Sequence, residues 1–527
     1  MFHRVLVANR GEIALRIVRA VRDIGAQSVA VYAQDDAHAP HVALADEAVA
    51  LAASGPPAYL DGRALAEIAK QTRCDAVHPG YGFLSERADF AQQCEKAGVT
   101  FIGPDAQHLE LFGDKARARA LAKLCDVPVL PGSEGAVTLD QARDFFQAQP
   151  GAGIMLKAIG GGGGRGMRAV TSESQLDEAY ARCASEARAF GVAGVYAERL
   201  MPNARHIEVQ VIGDGQHMMS LGERECTLQR RFQKLVEIAP SPSLSNSMRE
   251  QLVHAALKMA REVWYPGLCT FEFLVGDSAG LPFVFIEANP RLQVEHTVTE
   301  EVTGLDLVQL QIALAAGESL ESLGLDPAHA PKALGFAIQW RVNAETLDAQ
   351  GNARPAGGVL SRFDLPSGPG VRVDTHGVAG AQPSPHYDTL LAKVIVHSRS
   401  ADFADAARKS RRVLSEMHIE GPATNLPLLR AVAARAEFDN QSVHTRWLED
   451  ELAALLADSE RFADASQAST PRDEDVGDGL VAVRAPMAAR LVQANAQPGE
   501  LVAGGAPIAV LEAMKMEHVL HAQAAGR

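Results

Sequence analysis

The chain has 527 residues, enough for three or four domains at roughly 150 residues each. Its 50 Lys and Arg against 65 Asp and Glu leave a net charge of −15, which argues against a bulk electrostatic grip on nucleic acid but not against a local basic site for a small anion. No apolar run approaches the roughly 18 residues of a membrane span, and the six cysteines (74, 94, 125, 183, 226 and 269) are scattered without a CxxC spacing, as neither a disulfide framework nor a zinc knuckle would have them.

The start, Met1-Phe2-His3-Arg4-Val5-Leu6-Val7, leads straight into a strand with no signal pattern, so a cytoplasmic protein is expected. Arg4 to Ala8 reads as a buried strand. Glu12 to Asp23 has apolar residues at 13, 14, 17, 20 and 21, a helical spacing that Gly25 can stop. Ser28 to Tyr32 is a second strand, and two further runs end at Val77 and Ile102. Strands separated by helices predict a parallel, doubly wound sheet over residues 1–113. From 114 to 330 longer strands with hairpin signals alternate with helices such as Leu305 to Ala316. Residues 331–450 form a mixed segment ending in the helical run Leu426 to Ala436. The stretch 451–478 is rich in Asp, Ser, Ala and Glu and reads as a solvated linker. Residues 479–527 return to β-like alternation.

Two strands, Ile154 to Lys157 and Arg165 to Val170, flank the run Gly160 to Gly164. Alone, such a run is equally a flexible linker; between matched strands it suits a hairpin whose backbone N–H groups close over phosphates. Lys157 and Lys115 would add point charges there. No Walker A spacing occurs.

Thr270 to Val275 and Phe283 to Glu287 flank Gly276-Asp277-Ser278-Ala279-Gly280, so a hairpin would set Glu272 opposite Glu287. Facing carboxylates need a cation between them, and Mg²⁺, a hard ion, suits both carboxylates and phosphates. Glu287, Asn289, Arg291, Gln293 and Glu295 alternate with Ala288, Pro290, Leu292 and Val294, which in an extended chain places five polar groups on one face. A solvated edge strand is the plainer alternative. Lys515, in Ala513-Met514-Lys515-Met516, sits between two β-like runs and by itself reads as an ordinary solvated lysine.

Taken together, Ala8-Asn9-Arg10-Gly11-Glu12-Ile13-Ala14, His78-Pro79-Gly80-Tyr81-Gly82-Phe83-Leu84-Ser85-Glu86, the glycine loop, Glu287 to His296 and Ala513-Met514-Lys515-Met516 resemble biotin carboxylase, of the ATP-grasp superfamily, joined to a biotinyl segment. Such a pair occurs in the α-subunit or amino-terminal half of a biotin-dependent acyl-CoA carboxylase. The resemblance implies an α/β and α+β multidomain fold. It places a Rossmann-like pre-ATP-grasp domain at 1–113, an ATP-grasp domain at 114–330, a biotin carboxylase C-terminal domain at 331–450, a linker at 451–478 and an incomplete all-β biotinyl domain at 479–527.

It also implies a chemistry: ATP phosphorylates bicarbonate to carboxyphosphate, which breaks down to CO₂ and phosphate, and biotin deprotonated at N1′ captures the CO₂. By matching motif, Lys115, Lys157, Gly162, Gly163, Gly164, Glu198, Met201, His206 and Gln229 would contact ATP. Glu272, Glu287 and Asn289 would hold Mg²⁺ or Mn²⁺. Lys234, Arg291, Gln293 and the backbone of Val294 would bind bicarbonate, with Glu295 as general base. Tyr81, Gly82 and Arg341 would meet biotin, Arg341 stabilising its enolate, and Lys515 would carry biotin covalently. The implied partners are a biotin carrier domain, a carboxyltransferase subunit or domain, biotin protein ligase and a second copy or larger carboxylase complex, with no nucleic acid and no membrane. An acyl-CoA acceptor is expected, with pyruvate or urea as alternatives. The competing functions are another ATP-grasp ligase and a catalytically silent carrier scaffold.

The sequence departs from the family pattern at Ile159, where many relatives have serine, at Phe232, where some have histidine, and at Met487-Ala488-Ala489, in place of Met-Pro-Gly. Biotinyl domains place the lysine at a central hairpin, yet 36 residues run from Gly479 to Met514 and 12 follow Lys515. The tail is therefore expected not to fold stably alone, since unpartnered strands expose backbone edges, and the chain is expected to be the amino-terminal part of a longer protein. Efficient labelling of Lys515 by biotin ligase in the 527-residue chain would overturn that expectation.

Overall fold

The computed structural model describes residues 1–133, 135–149, 151–159, 166–189, 194–278, 280–463, 483–487, 489–513 and 516–527. The amino-terminal part is a five-stranded sheet in the order Glu47–Ala50, Gln27–Tyr32, Arg4–Val7, Ala76–His78, Thr100–Phe101. All neighbours are parallel, as the strand–helix alternation predicts. Its central strands read as continuous apolar runs because helices cover both faces. The helix Gly11–Asp23 buries Ile13, Ile17 and Val21 against Val5 and Val7, and the chain leaves it through Gly25 at φ +80°. Just before that helix, Asn9 donates to the carbonyls of Pro79 (2.7 Å) and Tyr81 (2.9 Å), which pins the loop carrying Tyr81 and Gly82.

A separate three-stranded sheet joins Met167–Val170, Ile154–Ala158 and Val195–Arg199. Ile154 pairs with Val170 and Lys157 with Met167, so the strands flanking the glycine run are antiparallel partners. Gly162, Gly163 and Gly164 themselves lie outside the described residues.

The largest element is an eight-stranded antiparallel sheet in the order Leu281–Asn289, Pro266–Ser278, Arg205–Asp214, Met218–Arg230, Gln233–Ala239, Phe336–Asn343, Leu390–Ser398, Val371–Thr375. Period-2 alternation divides its strands: Ile207, Val209, Phe271 and Phe273 pack with Leu252, Ala256 and Met259 of the helix Asn246–Glu262, while Glu208, Thr270 and Glu272 turn to the opposite face. At the far end Trp340, Val394 and Val396 share a core with Phe403, Leu429 and Phe438.

The stretch expected to be linker from 451 begins instead with the helix Leu452–Ser459, whose Leu455 is fully buried, and Arg430 donates to the carbonyl of Phe462 at 2.9 Å. The compact part therefore extends to Phe462. The tail contributes a three-stranded antiparallel sheet, Arg490–Ala494, Pro507–Ala513 and Met516–His521, with a bridge between Val502 and Gly526. Among its described residues only Leu511, Ala513 and Ala522 are buried, and Arg490–Ala494 is exposed throughout. Among the described residues no helix is long and apolar enough to cross a membrane.

Gly335, entering the strand Phe336–Asn343, has φ +72°, and a Cβ there would sit 1.9 Å from the carbonyl oxygen of Ser398. Gly335→Ala is expected to cost about 2 kcal/mol or more from the left-handed backbone and the clash together, read as a lowered urea midpoint.

Candidate active site

Strand register assembles the site. Glu272 pairs with Glu287 on one side and Glu208 on the other, and Glu208 pairs with Arg224, so three carboxylates and a guanidinium stand in one row across four strands. The Glu272–Glu287 pairing is the one the turn spacing predicts. Arg224 is fully buried and every N–H it has is matched. It donates to Glu208, to Gln210 (2.8 Å), to Thr299 (2.9 Å), to Gln293 (3.0 Å) and to Thr270 (3.1 Å).

Lys234 enters this row from the next hairpin. The turn Arg231-Phe232 joins the strand pair Gln229–Lys234, and both turn residues have positive φ, +48° and +65°. Two-residue hairpins favour that backbone, although Asn-Gly adopts it more cheaply. The turn is braced by the backbone N–H of Arg231 donating to Glu449 (2.6 Å) and its guanidinium to the carbonyl of Gln350 (3.1 Å). Lys234 Nζ then lies 2.6 Å from Glu208, 2.6 Å from Glu295 and 3.1 Å from Glu272. Burial alone would lower its pKa; the surrounding acidic groups hold it well above the usual lysine value.

Glu295 stands immediately before the helix His296–Thr303, making no side-chain bond to its first N–H groups, and its charge meets the favourable end of the helix dipole. Its second oxygen accepts from Arg341 Nη2 at 3.0 Å. Burial would raise its carboxyl, but Lys234, Arg341 and Arg224 together hold it below the ordinary carboxylate range. Glu272 is likewise depressed, burial being outweighed by Lys234 and His206. Arg341 Nε donates to Glu237 at 2.5 Å, and Gln339 donates to the other oxygen of Glu237 at 2.9 Å.

One expectation needs correction. The alternation over 287–295 predicts a single extended face, but the strand ends at Asn289 and the chain turns into the helix that starts at His296. Pro290 has no N–H with which to continue a ladder. The polar groups converge all the same, through the turn. Asn289 and Gln293 donate to Glu272 Oε1 at 2.9 and 3.0 Å, and Arg291 donates to Asn289 Oδ1 at 3.1 Å. Glu287, partly exposed, faces Lys115 at 3.2 Å.

His206 links the nest outward: Nε2 lies 2.7 Å from Glu272, and its other ring nitrogen meets Gln229 at 2.5 Å. Lys157 pairs with Glu198 on the three-stranded sheet. Met201 is buried with Leu130 and Val284. Tyr81 is partly buried on the amino-terminal loop, its ring 5.9 Å from Lys393 Nζ. Lys515 lies outside the described residues. Glu272 and Glu287 are hard oxygen donors of the kind a divalent ion takes, and Asn289, which here turns its amide nitrogen to Glu272 and its oxygen to Arg291, could add a third by rotating its amide.

Glu208, Arg224 and Glu237 were not among the residues singled out from sequence. A signal for the first existed: His206, Glu208 and Gln210 alternate with Ile207, Val209 and Val211, a polar face on a strand otherwise buried. Lys234→Met would leave Glu272 and Glu295 buried without their principal cation. Carboxylates with depressed values stabilise the fold above the ordinary carboxylate range and lose that contribution as pH falls. The deficit in unfolding temperature of Lys234→Met relative to the parent should therefore be largest from neutrality down to about pH 5 and narrow as pH falls further, through about 4 toward about 2.

Family models match the chain from end to end: the biotin carboxylase N-terminal domain at 1–109, the carbamoyl-phosphate synthase L chain ATP-binding domain at 114–323, the biotin carboxylase C-terminal domain at 339–450 and the biotin-requiring enzyme model at 481–527. Pyruvate carboxylase of Bacillus subtilis is 47% identical over 82% of this chain, which covers 38% of that protein. The chain thus spans about two fifths of the length of the pyruvate carboxylases it matches. The biotin-dependent acyl-coenzyme A carboxylase alpha3 subunit of Mycobacterium leprae is 39% identical over 99% of this chain and 94% of its own length. Among solved structures, the biotin carboxylase domain of a single-chain bacterial carboxylase is 50% identical with a TM-score of 0.78, covering 87% of this chain and 100% of that one. The biotin carboxylase domain dimer of Hydrogenobacter thermophilus 2-oxoglutarate carboxylase, in complex with MgADP, ADP and bicarbonate, superposes with a TM-score of 0.81 at 40% identity, covering 86% and 99%. By both sequence and fold, the chain belongs to the biotin carboxylase family of biotin-dependent carboxylases.

Proposed function

We propose that this chain carboxylates biotin with bicarbonate at the expense of ATP, through carboxyphosphate, as the first half-reaction of an acyl-CoA carboxylase. The observation that carries this reading is Glu295 held between Lys234 and Arg341, with Arg291 and Gln293 a few residues before it.

Bicarbonate would be held by Lys234, Arg291, Gln293 and the backbone N–H of Val294. An anion drawing on Lys234 weakens that cation's hold on Glu295, so the carboxylate becomes more basic as the substrate arrives and can take its proton. The freed oxygen then attacks the γ-phosphate of ATP. Phosphoryl transfer depends on positioning and charge neutralisation, and Lys115, ion-paired with Glu287, and Lys157, ion-paired with Glu198, would be the cations for the phosphates. Gly162, Gly163 and Gly164 would add backbone N–H groups, with His206, Gln229, Glu198 and Met201 on the rest of the nucleotide. Mg²⁺ held by Glu272, Glu287 and Asn289 would neutralise phosphate charge. Carboxyphosphate would break down to CO₂ and phosphate, and that phosphate would take the N1′ proton as the ureido nitrogen of biotin accepts the CO₂; Arg341, with Tyr81 and Gly82, would meet the ureido group and stabilise the enolate that develops.

The acyl-CoA assignment rests on the Mycobacterium leprae subunit, which matches over nearly the whole of both chains. It entails a carboxyltransferase partner, a biotin protein ligase acting on Lys515, a second copy of the chain and a cytoplasmic setting.

The deciding measurement is ADP release with Mg²⁺ in the presence of bicarbonate, free biotin, or both. Release that requires bicarbonate and rises with biotin is expected; release indifferent to bicarbonate would point to an ATP-grasp ligase with another acceptor. Glu295→Gln should lower the bicarbonate-dependent rate by about 10²–10⁴-fold, the usual worth of a general base. Arg341→Gln should abolish the stimulation by biotin while sparing more of the biotin-independent rate.

A further inference from the structure

Lys393 is a fully buried lysine with no place in the chemistry above. It lies on the strand Leu390–Ser398, paired with Arg341 on one side and Asp374 on the other. Its ammonium donates to the carbonyl of Val294 at 3.1 Å, lies 3.0 Å from Glu12 Oε2 and 3.8 Å from Asp374, and approaches the ring of Tyr81 at 5.9 Å. Each contact comes from a different part of the chain. Val294 belongs to the turn that holds Gln293 and Glu295. Glu12 sits in the first turn of the amino-terminal helix, and Asn9, two residues before that helix, pins the Tyr81 loop.

We infer that Lys393 is a positioning residue that fixes the bicarbonate turn and the Tyr81 loop relative to one another. A peptide unit is planar, so a bond to the Val294 carbonyl fixes the unit that ends at the Glu295 Cα, from which the Glu295 side chain departs; the Val294 N–H lies across the Val294 Cα in the adjoining unit. The same ammonium opposes, without cancelling, the burial that raises the Glu12 carboxyl. Asp374 has a second cation in Arg372 at 2.8 Å, so Lys393 is not needed to balance it. One charge thereby sets the spacing between the surface offered to the anion and the surface offered to biotin.

This inference rests on the proposed biotin carboxylase activity, and the test separates the two. In the 527-residue chain, bicarbonate-dependent ADP release is measured for the parent, for Lys393→Met and for Lys393→Met/Glu12→Gln, which removes the buried pair together. A parent without bicarbonate dependence would overturn the functional reading. Given an active parent, both variants should show KM values for bicarbonate and free biotin raised by about tenfold or more, as misplacement of substrate-holding groups produces, with the KM for ATP unchanged within about twofold. Folded variants with unaltered bicarbonate and biotin KM, or with the ATP KM raised in step, would overturn the inference. So would a double variant that does not fold, because Lys393 would then serve stability alone.

Discussion

The site depends on one ammonium group. Lys234 brings Glu208, Glu272 and Glu295 within 3.1 Å of a single nitrogen, with the three carboxylates buried and the lysine largely so. Carboxylates are costly to bury, and removing one partner of a buried ion pair costs more than the pair ever contributed. Arg224 shares the load by spending each of its N–H groups on the same face. Asn289 and Gln293 turn their amides toward Glu272 because that carboxylate still has lone pairs to satisfy. The turn over 290–295, the placing of Glu272 among amide donors and the position of Glu295 ahead of its helix are thus consequences of how one buried charge is balanced.

Much of this was legible in the sequence, for reasons that can be named. The Glu272–Glu287 pairing followed from a hairpin midpoint between positions 279 and 280, which the Ser278–Leu281 pair shares; the register shifts at Glu272/Phe273 and Val275/Ser278 were not legible. The parallel amino-terminal sheet followed from strand–helix spacing. The course of residues 290–295 did not, because alternation describes a strand only as long as its ladder continues, and Pro290 ends it. Arg224 and Glu237 were invisible because their significance lies in partners 75 and 104 residues away, Thr299 and Arg341. The helix Leu452–Ser459 was hidden by its polar neighbours, although Leu452, Leu455 and Leu456 carry helical spacing.

The hairpin that delivers Lys234 shows how local strain is kept. Arg231 and Phe232 occupy left-handed backbone that neither residue prefers, at a cost of order 1–3 kcal/mol each. The brace from Glu449 and Gln350 comes from the far end of the compact part of the chain. Residues well outside the pocket therefore help decide where the ammonium stands.

The eight-stranded sheet crosses the point at which the chain passes from the middle segment to the third, since Gln233–Ala239 is hydrogen-bonded to Phe336–Asn343 with Glu237 opposite Gln339. The distance between Lys234 and Arg341 is accordingly a property of sheet registry rather than of domain packing. The covalent connection between the two segments runs through a surface loop in which His329, Ala330 and Lys332 are exposed. That loop is topologically dispensable to the pocket: a chain opened there would keep its halves joined by the ladder, so the natural unit of assembly is the sheet and not the sequence segment.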